Sequence, residues 1–453
     1  MQIIPERPLR AVVVGCGPAG FYAAESLLKR NIPVEITMMD RLPAPFGLVR
    51  YGVAPDHAKI KSVIKVFEKT LSRPNVKFFG NVSAGKDISI KDLKRFFDAV
   101  ILSYGAEDDR KLGIPGEDLS GSHTATEFVA WYNGHPDYQN RSFDVSCKRA
   151  VVIGQGNVAM DVCRILCKTV DELKNTDISA HALEVLAKSQ IEEIHMIGRR
   201  GPAQAAFTTG EIREFGHLIH AYPIVKAEDL QLNGASQKEM EDPLYPARKH
   251  NYEILQSFVN IDPAGRPRKF VIHFFKSPKA IEGRGRVEKI ILEKNVLEGE
   301  VGNQKAKGTG QTEALDCGLI LRSVGYKGLP LPEIPFDEKH AVILNSRGRI
   351  IGEDICGCYA AGWIKRGASG VIGTNKPDSE ETVQSLMEDL LKLQPSSESN
   401  AAFENFLKEK NVRFVTFADW QKIDAEEIRR GQVVGKPREK FVNVEDMLKA
   451  AGK

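Results

Sequence analysis

The sequence predicts an α/β fold in which one nucleotide-binding unit occurs twice, and three observations support this prediction. A short apolar run at residues 11–14 leads into a glycine-rich turn and then into a run of helix-forming residues. The same order of apolar strand, glycine turn and helix returns at residues 149–166. Another apolar run, at residues 34–39, ends in an acidic residue, Asp40. We therefore expect two parallel sheets, each flanked by helices.

The first glycine turn fits the GxGxxG fingerprint of a Rossmann-like unit, with glycines at Gly15, Gly17 and Gly20. Gly15 makes the tight turn, Gly17 allows a pyrophosphate to approach the backbone, and Gly20 allows close packing of helix on strand. The N–H groups at the start of the helix then face the phosphates. Asp40 follows at the distance where an acid binds the hydroxyls of a ribose. This unit is therefore expected to bind an adenine dinucleotide.

The second glycine turn fits the related pattern GxGxxA, and it comprises Gly154, Gln155, Gly156, Asn157, Val158 and Ala159. The strand expected at residues 191–197 ends at Arg199 and Arg200 instead of an acid. Arginines at this position suit a 2′-phosphate, which an acid would repel. Because the spacing from Ala159 is long, we expect an inserted helix at about residues 179–188. The alternative is that the two arginines form a solvated pair at a strand end.

The remaining segments are assigned more briefly. Residues 41–57 contain several prolines and form a fixed loop, and Asp56 is expected to cap a helix over residues 57–70. Alternating patterns at residues 269–275 and 286–292 predict antiparallel strands. A strand near residue 359 leads into another glycine-rich loop, residues 362–373, which offers further backbone N–H groups to a cofactor. Amphipathic stretches at residues 379–393 and 419–430 predict a helical tail.

Composition limits the possible function classes. A chain of 453 residues allows two or three domains, and its net charge of +3 gives no indication of nucleic-acid binding. No apolar run approaches the roughly 18 residues of a membrane span. Residues 1–10 show no signal peptide and are too short for an evident transit peptide. We expect a globular enzyme in which a local basic face is still available to an acidic partner.

Seven scattered cysteines, an odd number, indicate reduced thiols in a reducing compartment. Cys163 and Cys167 fall inside the helix after the second glycine turn and are expected to pack in the core. Cys356 and Cys358 precede a strand, and both are expected to be buried on one face. Neither pair has the spacing and context of a redox-active dithiol, so disulfide reductases are excluded. No cluster with metal-ligand spacing is present, and no metal is expected.

Together these motifs resemble the adrenodoxin reductase family, the mitochondrial NADPH–ferredoxin reductases, and its bacterial ferredoxin–NADP reductase relatives. The resemblance covers nearly the whole chain. Its most specific segments are residues 45–57, 102–110, 154–166, 198–215, 362–374 and 424–440. The tail is more similar to that of the animal mitochondrial members than to that of the bacterial ones.

The resemblance implies a glutathione-reductase-like arrangement of two Rossmann-like domains, with FAD and NADPH as cofactors. The FAD domain is discontinuous, residues 1–105 and 325–453, and an NADP domain, residues 106–324, is inserted in it. In addition to the glycine turns and Asp40, the implied FAD contacts are Ala19, Leu48, Ala84, Trp363, Gly370, Val371 and Ile372. The implied NADP contacts are Arg110, Gln155, Gly156, Asn157, Val158, Arg199, Arg200, Glu211 and Gly370.

The implied reaction is hydride transfer from NADPH to FAD, followed by single-electron transfer to a small acidic [2Fe–2S] ferredoxin. By the same resemblance, His57 and Glu214 are expected beside the nicotinamide. A basic patch that includes Arg213, Arg248 and Lys249 is expected to meet the ferredoxin. The family also implies a mitochondrial matrix location and leaves open peripheral association with the inner membrane. The alternatives are an NADPH diaphorase or quinone reductase, and a dinucleotide-binding sensor without turnover.

Overall fold

The computed structural model describes residues 7–453, so most of the expectation about the first ten residues lies outside the described part of the chain. Two sheets built mainly of parallel strands organise the structure, and smaller antiparallel sheets accompany them. The strands in chain order are β1 (Leu9–Val14), β2 (Val34–Met39), β3 (Val76–Phe79), β4 (Ala99–Leu102), β5 (Asp108–Asp109), β6 (Ser122–Thr124), β7 (Arg149–Ile153), β8 (Glu193–Ile197), β9 (Ala221–Val225), β10 (Arg268–His273), β11 (Lys276–Glu282), β12 (Lys289–Glu298), β13 (Lys305–Asp316), β14 (Leu319–Arg322), β15 (Tyr326–Lys327), β16 (Phe336–Asp337), β17 (Val342–Ile343), β18 (Asn345–Ser346), β19 (Arg349–Ile350) and β20 (Cys358–Ala360).

Helices cover the faces of both sheets and form the tail. In chain order they are α1 (Pro18–Leu28), α2 (Gly47–Tyr51), α3 (Ala58–Lys61), α4 (Ile64–Leu71), α5 (Ile90–Phe96), α6 (Ala125–Tyr132), α7 (Asn157–Cys167), α8 (Val170–Leu173), α9 (Ala180–Leu186), α10 (Thr209–Phe215), α11 (Gly234–Glu241), α12 (Pro246–Ser257), α13 (Trp363–Arg366), α14 (Asn375–Glu388), α15 (Asn400–Glu409), α16 (Phe417–Val433) and α17 (Val444–Ala451). None of the helices in the described range is long and apolar enough to cross a membrane.

The first sheet has the strand order β18-β19-β20-β4-β1-β2-β3. Its strands β20, β4, β1, β2 and β3 run parallel to one another. Its central strand β1 is almost continuously apolar because both of its faces are covered. Val13 packs into the core on one side of the sheet and Val12 into the core on the other. Helix α1 returns from β1 to β2 and packs on α14 of the tail.

The second sheet has the order β6-β14-β7-β8-β10-β9, and all of its pairings are parallel. Its strands fall between residues 122 and 322, whereas those of the first sheet come from residues 9–102 and 345–360. The second Rossmann-like unit is therefore inserted into the first. The chain crosses between them twice, and the antiparallel pair β5 and β15 joins the two crossings.

The C-terminal tail connects the two units a second time. Lys440 is buried, donates to the backbone carbonyl of Asn133 at 2.9 Å and pairs with Asp177 at 3.1 Å. In the same region Arg50 donates to the fully buried carboxylate of Glu427 on α16 at 2.5 Å. These buried ion pairs fix the tail between residues of both units.

Several sequence-based expectations need correction. The segment at residues 269–275 is a parallel strand, β10, because its alternating pattern lies at a buried position between β8 and β9. The helix expected over residues 57–70 is divided into α3 and α4. Asp56 caps neither of them, because its carboxylate binds Arg164 and Lys168. Cys356 is exposed, since it lies in the turn before β20, whereas Cys358 is buried as expected.

Candidate active site

The first glycine turn has the geometry that phosphate binding requires. Gly15 has a φ of +101°, and a Cβ at this position would lie 2.6 Å from the backbone oxygen of Ser103. A Cβ on Gly20 would lie 2.2 Å from the oxygen of Gly15, so this position must also be glycine. Gly17 instead faces open space, since a Cβ there would meet nothing within 4 Å, and no side chain caps α1. The free N–H groups of the first turn therefore fit a pyrophosphate.

Asp40 lies directly after β2, beside this turn. Its carboxylate accepts backbone hydrogen bonds from Cys16 at 2.8 Å and Leu42 at 3.0 Å. Burial raises the pKa of Asp40 to about 6, although these two N–H groups act in the opposite direction. The two bonds hold the carboxylate at the edge of the sheet where a ribose diol would meet it. The residues present therefore fit FAD.

The other residues implied for FAD binding lie on separate segments of the first unit. Leu48 is on the short helix α2, and Ala84 lies in a turn where it pairs with Ile88. The indole N–H of Trp363 donates to the backbone oxygen of Ser369 at 3.0 Å, which closes the glycine-rich loop after α13. Gly370 has a φ of +80°, and Val371 and Ile372 follow it just before α14, with Val371 exposed.

The second glycine turn repeats the first. A Cβ on Gly154, whose φ is +128°, would lie 2.1 Å from the backbone oxygen of Ser323, whereas one on Gly156 would meet nothing within 4 Å. The side chain of Gln155 donates to the carbonyl of His273, and Asn157 accepts from the N–H of Thr208. No side chain caps α7, so its first turn also has free N–H groups. Val158 is half-buried against the core.

Arg199 and Arg200 extend from the end of β8. Both are exposed, and within residues 7–453 neither guanidinium group has a hydrogen bond or an ion pair. The partial burial of Arg200 and the nearby charge of Arg199 lower the pKa of Arg200. Arg110, on the crossing between the units, is exposed, and its backbone N–H binds Gly325. The two unpaired guanidinium groups at the end of β8 fit a 2′-phosphate, so the residues of the second unit fit NADP.

An arginine that the sequence analysis did not single out organises the space between the units. Arg164, on α7, is completely buried, and its guanidinium group donates to Asp56 at 2.8 Å, to Asp161 at 2.6 Å and to Glu211 at 2.8 Å. The carboxylate of Glu214 lies 3.4 Å away. Such an arrangement neutralises carboxylates that burial would otherwise make costly.

His57 approaches the same cluster from the first unit. Its Nε2 lies 3.4 Å from the carboxylate of Glu214, while Nδ1 lies 3.7 Å from Asp161 and 3.9 Å from Glu211. The imidazole is largely buried, whereas the Glu214 side chain is 46% exposed. The expected meeting of His57 with Glu214 is therefore present. The carboxylate of Glu211, which is implied as an NADP contact, lies against Arg164 and His57.

The electrostatics of this cluster depend on both burial and charge. Burial by itself lowers the pKa of His57, but the hydrogen bond to Glu214 and the charges of Asp161 and Glu211 outweigh it, so the pKa is raised. The same hydrogen bond lowers the pKa of Glu214. Burial and the charge of Asp161 raise the pKa of Glu211 to about 7. The cluster thus brings together a glutamate with a pKa of about 7 and a histidine whose pKa is raised, and perturbed groups of this kind are typical of functional sites.

His57, Asp161 and Glu211 lie close enough together to share a cation, since their ligand atoms are within 4.8 Å of one another. Arg164 already supplies a positive charge to both carboxylates. All seven cysteines of the chain are free, and Cys163 and Cys167 are buried in the core around α7. The side chains at this site can therefore hold protons and stabilise charge, and the free cysteines do not form a redox-active pair there.

The three residues expected in a basic patch are arranged differently from one another. Arg213 is exposed and lies 2.8 Å from the imidazole of His250. Lys249 is also exposed. Arg248 turns away from solvent, pairs with the buried Glu239 at 2.9 Å and stacks over the ring of Tyr245.

Comparison with known proteins first defines the class. Residues 9–197 match the family model described as pyridine nucleotide-disulphide oxidoreductase. The chain is 43% identical to the mitochondrial NADPH:adrenodoxin oxidoreductase of Arabidopsis thaliana, over 98% of this chain and 96% of the relative. It is 45% identical to the NADPH-ferredoxin reductase FprA of Mycobacterium leprae, over 96% of this chain and 97% of the relative.

Among solved structures, the fold matches Mycobacterium tuberculosis FprA in complex with NADPH, with a TM-score of 0.93 and 42% identity. The match covers 99% of this chain and 100% of the other. The protein is thus an oxidoreductase with two Rossmann-like domains. More specifically, it belongs to the family of the NADPH:adrenodoxin oxidoreductases and the FprA-type NADPH-ferredoxin reductases.

Proposed function

We propose that this protein is an NADPH-dependent FAD enzyme that passes electrons singly to a [2Fe–2S] ferredoxin. The observation that carries the proposal is the contact of His57, from the first unit, with Glu214 and the Arg164 cluster of the second. Two nucleotide-binding units that meet at a titratable cluster suit a reaction between their cofactors. The relatives named as NADPH:adrenodoxin oxidoreductases and NADPH-ferredoxin reductases support the same reaction.

In this proposal the domain containing residues 1–105 and 325–453 binds FAD through Gly15, Gly17 and Asp40. Residues 106–324 bind NADPH through the turn at Gly154 and through Arg199 and Arg200. A flavin supplies the chemistry by which a two-electron donor can serve a one-electron acceptor. Among the residues of the chain, Arg164 holds Glu211 and Asp161 in place, and His57 with Glu214 sets the charge beside the nicotinamide.

The proposed docking face for an acidic ferredoxin contains Arg213 and Lys249, which are exposed. A basic face on a nearly neutral protein accelerates encounter with an acidic partner. Arg248 contributes less to this face than its sequence position suggests, because its pairing with Glu239 holds it in a half-buried position. We also propose a mitochondrial matrix location, which the mitochondrial relatives support. The relatives include mitochondrial and bacterial proteins of equal similarity, so cell fractionation is the test.

The proposal is tested by mixing the purified yellow protein with NADPH without oxygen and following flavin absorbance. Rapid bleaching is expected, and addition of oxidised ferredoxin should restore the colour. If NADPH leaves the flavin band unchanged, the protein is a dinucleotide-binding sensor and not a reductase. If bleaching is rapid but ferredoxin restores the colour no faster than buffer, a diaphorase role replaces the proposed one.

A further inference from the structure

A cavity of about 440 Å³ opens beside Arg200 on the second unit. It lies between the segment after β8 and the start of α12, and the loop before β13 closes one side. Its wall includes Arg200, Phe207, Tyr245, Arg248 and Gln304. The cavity therefore joins a residue already proposed to bind the 2′-phosphate with Arg248, which sequence analysis had placed in the ferredoxin patch.

Arg248 is held in a fixed position at this cavity. One of its terminal nitrogens, Nη1, donates to Glu239 at 2.9 Å, and its guanidinium carbon lies 3.9 Å from the ring centre of Tyr245. Stacking on an aromatic ring and pairing with a carboxylate restrict both the position and the plane of a guanidinium group. The Nη2 and Nε donors of Arg248 have no hydrogen-bond partner within the described chain.

Glu239 is suited to anchor this arginine. Its side chain is 2% exposed, and its carboxylate also accepts from Gln204 at 2.9 Å, Gln304 at 2.9 Å and the N–H of Gly302 at 2.9 Å. Burial opposes ionisation, but these donors and Arg248 outweigh it, so the pKa of Glu239 is lowered. Glu239 is therefore an ionised carboxylate held in one position, and it can fix the position of Arg248.

The charges at the cavity do not balance. Three guanidinium groups, those of Arg199, Arg200 and Arg248, act on this region, and the charges of Arg199 and Arg248 help to lower the pKa of Arg200. Glu239 is the one carboxylate among the residues that line the cavity. The lining therefore has one more positive than negative charge, and Arg199, which adjoins Arg200 outside the lining, adds to this excess; such a site suits a phosphate monoester dianion, which carries roughly −1.5 to −2 at pH 7.

We propose that Arg248 is a third arginine of the coenzyme 2′-phosphate site, positioned by Glu239 and Tyr245, and that it determines specificity for NADPH over NADH. The inference rests on the proposed function because it assumes that the second unit binds NADPH. Arg199 and Arg200 reach the phosphate from the strand end, and Arg248 reaches it from α12.

Isothermal titration of the FAD-loaded protein with adenosine 2′,5′-bisphosphate and with 5′-AMP tests this inference. Arg248→Gln should weaken binding of the bisphosphate about tenfold, in keeping with the loss of one charge-assisted hydrogen bond, and leave 5′-AMP binding unchanged. Arg248→Lys should recover part of the loss. Lys238→Gln, which removes an exposed positive charge from α11 next to Glu239, should bind both nucleotides like the parent protein.

The proposal is overturned if Arg248→Gln binds the bisphosphate as tightly as the parent protein does. Equal weakening for 5′-AMP also overturns it, because that result reports a collapsed pocket. A raised KM for ferredoxin with unchanged nucleotide binding would return Arg248 to the ferredoxin face. If the parent protein itself fails to bind the bisphosphate, the proposed coenzyme and not only the role of Arg248 is wrong.

Discussion

The imidazole Nε2 of His57 lies 3.4 Å from the carboxylate of Glu214, although 157 residues separate the two in the chain. Because one belongs to the first Rossmann-like unit and the other to the second, this contact marks where the units meet. It also gives His57 a raised pKa and Glu214 a lowered one. The charged pair persists for as long as His57 holds its proton.

His57→Gln should slow flavin reduction by NADPH roughly ten- to a hundredfold, because the nicotinamide loses a positioned neighbour. The pKa of His57 is raised, so the charged pair is complete below its ordinary value of 6.5 and is lost as pH rises through the higher folded value. In stopped-flow measurements across this range, the rate of flavin reduction should therefore change with pH above about 6.5 in the parent protein and not in the variant. FAD content serves as the control. Identical profiles for variant and parent would make His57 purely structural.

Arg164→Met should destabilise the protein by about 3–5 kcal/mol, because buried carboxylates lose their shared partner. Asp56 has a lowered pKa in the native protein, so its ion pair stabilises the fold above the unfolded pKa and is lost in acid. The difference between variant and parent should consequently be retained at about pH 5, above the ordinary pKa of an aspartate, and should narrow as the pH falls towards about 2. Urea unfolding at both pH values measures it.

Lys168→Met is the matched control for Arg164, since Lys168 binds the same Asp56 from a more exposed position. The Lys168→Met variant should lose no more than about 1 kcal/mol of unfolding free energy. An Arg164 variant as stable as this control at neutral pH would contradict the central role given to Arg164.

Replacement of Arg199 and Arg200 together by alanine should reduce kcat/KM for NADPH by roughly 10²- to 10⁴-fold, since each charge-assisted bond contributes about 1.5–3 kcal/mol. NADH has no 2′-phosphate, so its kcat/KM should change little. Arg429→Ala, which removes an arginine paired with Glu426 on another surface, is the control. An unchanged ratio of the two kcat/KM values would exclude these arginines from coenzyme selection.

Binding of FAD to the apoprotein should weaken below about pH 6. The pKa of Asp40 is raised to about 6, and protonation removes the acceptor for the ribose hydroxyls. Fluorescence titration between pH 5 and 8 measures the affinity, and Asp40→Asn should be weak at every pH. Heat denaturation should also release free FAD, since the proposed site needs no covalent link. A pH-independent affinity in the parent protein would exclude Asp40 from flavin binding.

The motifs of this chain could be predicted from sequence because each is local. A strand, a glycine turn and a helix lie within 20 residues, and the left-handed φ of Gly15 and Gly154 follows from the pattern. The Arg164 cluster could not be predicted in this way. Its members come from three segments, the loop at residues 56–57 and the helices α7 and α10, and Arg164 lies in a helix whose pattern indicates apolar packing. Only the i,i+3 spacing of Asp161 and Arg164 gave a local signal.

The same reasoning explains the remaining errors. Whether residues 269–275 pair in parallel depends on their neighbours β8 and β9, which the pattern of one segment does not identify. Arg248 and Lys249 are adjacent and look alike in sequence. They differ because Arg248 pairs with the buried carboxylate of Glu239, whereas Lys249 is exposed. The Glu239 carboxylate is bound by Gly302 and Gln304, which are distant from it in the chain.

Ferredoxin-dependent reduction of cytochrome c, measured against salt concentration beside reduction of a small uncharged quinone, tests the central claim most directly. Salt screens the encounter of a basic face with an acidic protein, since the Debye length shrinks to about 8 Å at physiological ionic strength. The ferredoxin rate should therefore fall as salt rises, and Arg213→Glu should lower it while Lys188→Glu, just after α9, should not. The quinone rate should barely change. If no ferredoxin accepts electrons faster than the quinone does, the assignment as a ferredoxin reductase is wrong.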